Sequence, residues 1–194
     1  MSAETEIVPG LEDRLAAGDE TAFRELVEAY KRKFYGLAFE YTRNHADAED
    51  VSQVAFIKVF RSISTFKKGS SLNSWLYRIV VNTAIDHIRK RAFFPADYAE
   101  FDGGEAAPAG QDPARRAEAI LLRVKIDAAL DAVSERERAA FLLRHDHGLS
   151  MQEIAEVLEV SAGSVKSYLF RSARKLQKEL SRAGLRLSEE IPHA

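Results

Sequence analysis

Basic side chains are the residues of this chain best suited to chemistry, and they occur in two stretches. Residues 58–91 hold eight basic residues against the single acid Asp86, and residues 161–186 hold seven against Glu179 alone. The whole chain of 194 residues nevertheless has a formal net charge of −2. Because salt limits the influence of a charge to about 8–10 Å, the local surplus matters more for phosphate binding than the total charge. The two stretches therefore predict two nucleic-acid-binding surfaces.

The remaining reactive residue types offer little for catalysis or metal binding. The five histidines lack the spacing of a zinc-protease pair with a third ligand, and His145 and His147 are expected to be ordinary surface residues. The chain has no cysteine, no glycine-rich phosphate loop and no nucleophile motif. We therefore expect no enzymatic activity, no metal, no cofactor and no small-molecule substrate.

Composition predicts a globular protein of the cytoplasm. Apolar residues make up 46% of the chain and charged residues 30%. No apolar run approaches the roughly 20 residues that a membrane-spanning helix needs, and the N-terminus is acidic where a secretory signal is basic. The absence of cysteine fits a reducing compartment.

Apolar residues recur at three- and four-residue spacing, which predicts an all-α fold. The predicted helices follow breaks at Gly18-Asp19 and at Asn44, and a third begins at about Asn73 and ends at the basic triplet of residues 89–91. We see no strand-like alternation of useful length.

Residues 95–117 predict a flexible acidic linker, because they combine prolines, a Gly-Gly pair and acids without an apolar period. The linker divides the chain into a first domain, residues 1–94, and a second domain, residues 118–185, with a short tail at residues 186–194. The predicted architecture is thus two small helical domains joined by a flexible linker.

The segment GLSMQEIAEVLEVSAGSVKSYLFRSAR, residues 148–174, predicts a helix-turn-helix. Ser150 and Glu153 form a capping box, Val160 fills the turn, and Ser161 or Ser164 caps the second helix. Glu159 stands where such turns often have glycine, and a left-handed backbone there costs about 1–2 kcal/mol. The exposed N-terminal half of the second helix is the part that enters the major groove in proteins of this kind.

Two motifs in the first domain resemble region 2 of the extracytoplasmic-function (ECF) RNA polymerase sigma factors, members of the sigma-70 superfamily that contain regions 2 and 4 only. They are DAEDVSQVAFIKVF at residues 47–60 and FKKGSSLNSWLYRIVVNTAID at residues 66–86, preceded by GDETAF at residues 18–23. VSERERAAFLLR at residues 133–144 resembles the opening of region 4. The resemblance covers about residues 11–180.

This resemblance implies a promoter-specificity subunit of bacterial RNA polymerase. In that family the first domain binds the β′ clamp helices of the core polymerase and opens the promoter at the minus-ten element. The second domain contacts the polymerase β flap and binds the minus-thirty-five element as duplex DNA. An anti-sigma factor is a further partner that the resemblance implies.

The resemblance also implies three sets of binding residues. The polymerase-binding residues are Asp47, Glu49, Asp50, Gln53 and Phe56. The minus-ten residues are Phe66, Lys67, Lys68, Gly69, Ser70, Ser71, Leu72, Arg78, Asn82, Asp86, Arg89, Lys90 and Arg91. The minus-thirty-five residues are Ser161, Gly163, Ser164, Lys166, Ser167, Phe170, Arg171, Arg174 and Lys175.

Two positions depart from the family pattern. Leu72 replaces an aromatic residue often found in the minus-ten loop, and Tyr168 stands where family members frequently have arginine. Trp75 is an available aromatic, but its helical spacing favours a place in the core over a role in stacking on bases. The promoter sequence is therefore left open.

Two alternatives remain at this level. The second domain by itself also resembles the DNA-binding domain of LuxR-type regulators, so a stand-alone regulator that binds DNA without polymerase is the other hypothesis. The acidic linker fits either a segment that threads the RNA exit channel of the polymerase or an ordinary solvated connection.

Overall fold

The computed structural model describes residues 10–66, 71–93 and 131–182, together with residues 121, 125 and 128–130. Within these residues the chain forms helices and turns and no strand, which confirms the all-α prediction. The predicted linker and tail lie outside the described residues. None of the described helices is long and apolar enough to cross a membrane.

The first domain is built around two long helices whose starts are capped by side chains. Asp19 accepts hydrogen bonds from the backbone N–H groups of Thr21 and Ala22, and Asn44 accepts one from Asp47 N–H. The domain comprises α1 (Leu11–Ala16), α2 (Glu20–Thr42), α3 (His45–Ser62), a 3-10 turn (Ile63–Thr65) and α4 (Leu72–Phe93).

The second domain comprises α5 (Glu135–His145), α6 (Met151–Leu158) and α7 (Ala162–Arg182). The predicted capping box of Ser150 and Glu153 is confirmed, and Ser134 forms a second one with Glu137 at the start of α5. Ser161 caps α7 by accepting a hydrogen bond from Ser164 N–H at 3.1 Å.

The turn between α6 and α7 has the left-handed backbone that its position predicted. Glu159 has φ 54° and ψ 48°. Ile154, Ala155 and Val165 are buried on the two sides of this turn, while Val160 is partly buried against them. The packing of these side chains thus outweighs the cost of a non-glycine residue in that conformation.

The two domains pack directly against each other. Tyr77 on α4 and Ile154 on α6 belong to one continuous cluster of buried apolar side chains, in which α6 lies against α4. Polar contacts surround that seam. The imidazole of His147 lies between Glu40 Oε2, 3.2 Å from its Nε2, and the Tyr77 hydroxyl, 3.3 Å from its Nδ1.

Candidate nucleic-acid interface

Helix α7 presents its N-terminal half to solvent as the helix-turn-helix requires. Val165 is fully buried and Leu169 partly buried, and these two side chains fix the rotation of the helix. All but two of the predicted minus-thirty-five residues are exposed. The exposed ones are Ser161, Gly163, Lys166, Ser167, Phe170, Arg171 and Arg174, while Ser164 and Lys175 are half-buried.

Aromatic rings support two of the exposed arginines. The guanidinium carbon of Arg171 lies 5.3 Å from the ring centroid of Tyr168, and that of Arg174 lies 5.7 Å from the ring centroid of Phe170. Phe170 is 62% exposed. The family often has arginine at the position of Tyr168. In this chain the ring of Tyr168 contacts Arg171 and adds no cation of its own.

Sequence reasoning missed Glu137, a buried acid of α5 that contacts α7. Its Oε1 lies 3.1 Å from Arg171 Nε, and its Oε2 accepts a hydrogen bond from Lys175 Nζ at 2.6 Å. Burial alone would favour the neutral acid, but hydrogen bonds from Lys175 and Ser134 outweigh it and hold the pKa of Glu137 below its ordinary value. The capping-box spacing was the available signal in the sequence, but it does not reveal the contact with α7.

Only some of the predicted minus-ten residues near the start of α4 lie at the surface. Phe66 is half-buried against Trp75, with ring centroids 5.5 Å apart, and Ser71 Oγ accepts a hydrogen bond from Ser74 N–H. Leu72 is buried in the core, so the structure corrects its prediction as a base-contacting residue in this conformation. Residues 67–70 of the predicted loop lie outside the described residues.

Farther along α4 the predicted minus-ten residues divide between solvent and ion pairs. Asn82, Asp86 and Lys90 are exposed. Arg91 is ion-paired with Asp47, and Arg89 forms two hydrogen bonds with Glu135 of the second domain. The basic triplet is therefore partly neutralised in this arrangement.

The α6–α7 turn lies against the beginning of α4. Arg78 Nη1 donates to Glu159 Oε1 at 2.9 Å, and Asn73 Nδ2 donates to Glu153 Oε1 at 3.4 Å. Asn73 Oδ1 also accepts a hydrogen bond from the Tyr30 hydroxyl. Hence Arg78, a predicted minus-ten residue, contacts the helix-turn-helix in this closed arrangement of the domains.

Helix α3 presents a face that combines polar and apolar side chains. Glu49, Asp50 and Gln53 are exposed, as predicted for a partner-binding surface. Asp47 and Phe56 instead face inward: Asp47 is ion-paired with Arg91, and Phe56 stacks on Phe34 at 4.5 Å. The structure thus corrects their assignment as surface contacts.

The same face contains three exposed apolar residues that the sequence prediction did not name. Val54 is 43% exposed, Ile57 50% and Phe60 59%. Their three-residue spacing places them along one side of α3 next to Gln53. Large exposed apolar side chains grouped in this way mark a protein-binding site.

Comparison with known proteins finds one family match in each domain. Residues 26–94 match the Sigma-70 region 2 family, and residues 123–176 match the family Sigma-70, region 4. The RNA polymerase sigma-H factor of Pseudomonas aeruginosa is 36% identical over 180 residues, which cover 88% of this chain and 92% of that protein. The ECF RNA polymerase sigma-E factor of Escherichia coli K12 is 32% identical over 177 residues, which cover 88% and 92%.

Solved structures share the fold of this chain. The complex of CnrH with the cytosolic domain of CnrY contains a chain that matches with a TM-score of 0.67 at 24% identity, over 89% of this chain and 96% of that one. The sigma factor RpoE of Bartonella quintana, solved with the anti-sigma factor NepR, matches with a TM-score of 0.63 at 24% identity, over 82% and 96%.

The relatives decide between the two hypotheses that the second domain alone left open. Their similarity extends through both domains, in the order region 2 and then region 4, whereas a LuxR-type regulator shares only the second. The chain belongs to the extracytoplasmic-function RNA polymerase sigma factors.

Proposed function

We propose that this sigma factor uses three separate surfaces, one for the core polymerase and one for each promoter element. The observation that carries this proposal is the exposed basic half of α7, held outward by the buried Val165. That geometry matches the major-groove docking of a recognition helix. It supports the proposal that the second domain binds the minus-thirty-five element.

The polymerase-binding surface is the exposed face of α3. We define it as Glu49, Asp50, Gln53, Val54, Ile57 and Phe60. Apolar side chains supply the burial that stabilises a protein interface, and the flanking polar residues supply specificity. Asp47 and Phe56 support this face from beneath, through their contacts with Arg91 and Phe34.

The minus-ten surface is the exposed side of α4 with the preceding loop. Promoter opening costs a few kcal/mol for each base that leaves the stack, and a protein offsets this cost with pockets and with cations along the phosphates. Arg78, Asn82 and Lys90 lie along α4 in position to contribute such contacts. Arg78 Nη1 is engaged by Glu159 of the helix-turn-helix in the closed arrangement, so movement of that domain away from α4 frees this nitrogen for DNA.

The partners of the proposed activity are core polymerase, through its β′ clamp helices and β flap, and promoter DNA. An anti-sigma factor is a further proposed partner, as in the RpoE structure with NepR. The protein acts where the polymerase acts, in the cytoplasm, and contributes binding energy and no catalytic chemistry of its own.

Reconstitution with bacterial core polymerase tests this proposal. The purified chain is expected to co-elute with the core enzyme and to generate promoter-specific transcripts from a genomic promoter library. Ile57→Asp is expected to reduce co-elution strongly, because it places a charge in the apolar part of the interface. Arg171→Ala is expected to preserve co-elution and to lose transcripts that depend on the minus-thirty-five element.

The polymerase-binding surface and α7 each have their own contradicting result. If Ile57→Asp and Gln53→Ala both keep full affinity for core polymerase, the polymerase-binding surface lies elsewhere. If Arg171→Ala leaves minus-thirty-five dependence unchanged, α7 does not read that element. Tight binding of a palindrome by the free chain, without affinity for polymerase, would instead support a stand-alone regulator.

A further inference from the structure

Glu137 lies beneath two cations of α7 although it belongs to a different helix. Its side chain is only 5% exposed, and each of its carboxylate oxygens faces one cation: Oε1 faces Arg171 Nε and Oε2 faces Lys175 Nζ. Arg171 and Lys175 are four residues apart, so they lie on the same side of α7. One buried carboxylate thus anchors both side chains.

Two simple explanations do not account for an acid at this position. The capping box at the start of α5 requires a side chain that can accept a hydrogen bond, and glutamine serves there as well as glutamate. Phosphate binding is weakened by a negative charge beside the cations, because the local positive surplus drives counterion release from DNA. Besides stabilising the fold through its ion pairs, the charge of Glu137 has a consequence for the side chains of α7.

That consequence is the orientation of Arg171. Its Nε lies against Glu137, while its guanidinium carbon lies 5.3 Å from the ring centroid of Tyr168. Contact through Nε leaves the fork of the two terminal nitrogens as the part of the group that can bind a guanine edge through O6 and N7. An arginine that is already oriented loses less side-chain entropy when it binds.

We propose that Glu137, together with the ring of Tyr168, is a positioning residue that orients Arg171 to read base edges of the minus-thirty-five element. In this arrangement the protein gives up part of its non-specific attraction to phosphate and gains base discrimination. This positioning role rests on the proposed DNA-binding function of α7, and it names the residues that set the base specificity of that helix.

The test measures base preference and salt dependence separately in the full-length chain bound to core polymerase. Promoters with randomised minus-thirty-five positions are captured by the holoenzyme at several salt concentrations and sequenced. Glu137→Gln is expected to reduce discrimination at the position read by Arg171 about tenfold, within the range of one bidentate arginine–guanine contact. Capture of non-specific duplex is expected to increase, with a salt dependence steeper by about one phosphate contact.

Glu179→Gln is the matched control, because Glu179 lies on α7 and is ion-paired with Arg182. It changes the net charge of the same domain by the same amount without touching Arg171. We expect Glu179→Gln to preserve base discrimination. Tyr168→Leu is expected to reduce discrimination as well, whereas Tyr168→Phe keeps the ring and is expected to preserve it.

The outcomes separate this inference from the function on which it rests. Loss of discrimination in Glu137→Gln and Tyr168→Leu, with the control variants unchanged, supports the positioning role. If Arg171→Ala loses discrimination but Glu137→Gln and Tyr168→Leu keep it, the positioning role is wrong and the recognition helix remains. If Arg171→Ala also keeps it, both the inference and the assignment of α7 are wrong.

A merely structural defect gives a different result. If Glu137→Gln remained folded and lowered specific and non-specific capture together, base discrimination would be unchanged and the proposal would be overturned. Tyr168→Leu removes the ring that contacts the Arg171 guanidinium and leaves the α5 capping box intact. If Glu137→Gln folds poorly, the base discrimination of Tyr168→Leu, measured against Tyr168→Phe, decides the test.

Discussion

At the scale of single residues, inward-facing acids organise the charges of this protein. Asp47 is buried at the start of α3 and is ion-paired with Arg91 at the end of α4. Glu137 has the equivalent place in the second domain, between α5 and α7. In both cases a buried carboxylate is ion-paired with cations of another helix.

Replacing Asp47 is expected to destabilise the first domain. Asp47→Asn keeps the shape of the side chain but removes the negative charge that pairs with the partly buried guanidinium of Arg91, so the free energy of unfolding is expected to fall by about 1–3 kcal/mol. Chemical denaturation measures this change. Asp86→Asn is the control, since the exposed Asp86 is 3.9 Å from Lys58 Nζ and is expected to change stability by less than about 1 kcal/mol. Equal effects of the two substitutions would contradict the special role of Asp47.

The depressed pKa of Glu137 predicts a loss of stability in acid. Because the pKa in the folded protein lies below the ordinary value of 4.5, the ionised carboxylate stabilises the fold fully above that pH. The contribution disappears as the pH falls through the folded pKa. The difference in unfolding free energy between the natural chain and Glu137→Gln is therefore expected to be largest near about pH 7 and to shrink towards about pH 3. A difference that stays constant over this range would show that the charge of Glu137 does not stabilise the fold.

At the scale of elements, the α6–α7 turn combines strain with packing. The left-handed backbone of Glu159 positions α7 across α6, and buried apolar residues on both helices maintain it. The ion pair of Glu159 with Arg78 adds little to stability, because the glutamate side chain is 71% exposed. A substitution that removes the backbone strain at Glu159 is therefore expected to stabilise the second domain.

Glu159→Gly is expected to raise the free energy of unfolding by up to about 1 kcal/mol, because glycine adopts φ 54° without a Cβ clash. Thermal or chemical denaturation measures the change. The matched control is Glu156→Gly, the same substitution at an exposed position within α6, which is expected to lower stability by about 0.5–1 kcal/mol. A loss of stability in both variants would mean that the turn is not strained.

At the scale of the whole molecule, the closed packing of the two domains covers part of the minus-ten surface while α7 remains outside. The His147 imidazole contacts a neighbour from the first domain on each side: its Nδ1 lies 3.3 Å from the Tyr77 hydroxyl, and its Nε2 lies 3.2 Å from Glu40 Oε2. Burial raises the pKa of Tyr77, so its hydroxyl stays protonated and able to donate. These contacts join the two domains at the seam in the closed arrangement.

The seam predicts that promoter opening requires separation of the domains. Because the chain has no cysteine, Arg78→Cys and Glu159→Cys can be introduced together and joined by a short bis-maleimide linker. Compared with the same double variant before cross-linking, the cross-linked chain is expected to lose promoter-dependent transcription with core polymerase, because the face of α4 around position 78 stays against the helix-turn-helix.

A cross-link within one domain provides the control for this prediction. Arg14→Cys with Glu25→Cys replaces an ion pair of the first domain and is expected to leave transcription intact after cross-linking. Full transcription by the chain cross-linked between domains would show that the polymerase uses the closed arrangement itself.

The sequence by itself determined the helices, the caps and the order of the two domains. These features depend on local periodicity and on spacings of three or four residues, which can be read directly from residues such as Ser150 and Glu153. Local spacing also predicted the position of the left-handed turn at Glu159 and the exposed side of α7. The sequence motifs indicated the family.

Only the tertiary structure decided which candidate residues face solvent and which chain segments meet. Asp47, Phe56 and Leu72 have the right types and positions for binding but face inward, because long-range packing sets the rotation of α3 and α4. The contact of Glu137 with Arg171 joins residues 34 positions apart, and that of Arg78 with Glu159 spans 81 positions. No periodicity in a single sequence encodes such pairs, since they arise from the way in which whole helices pack.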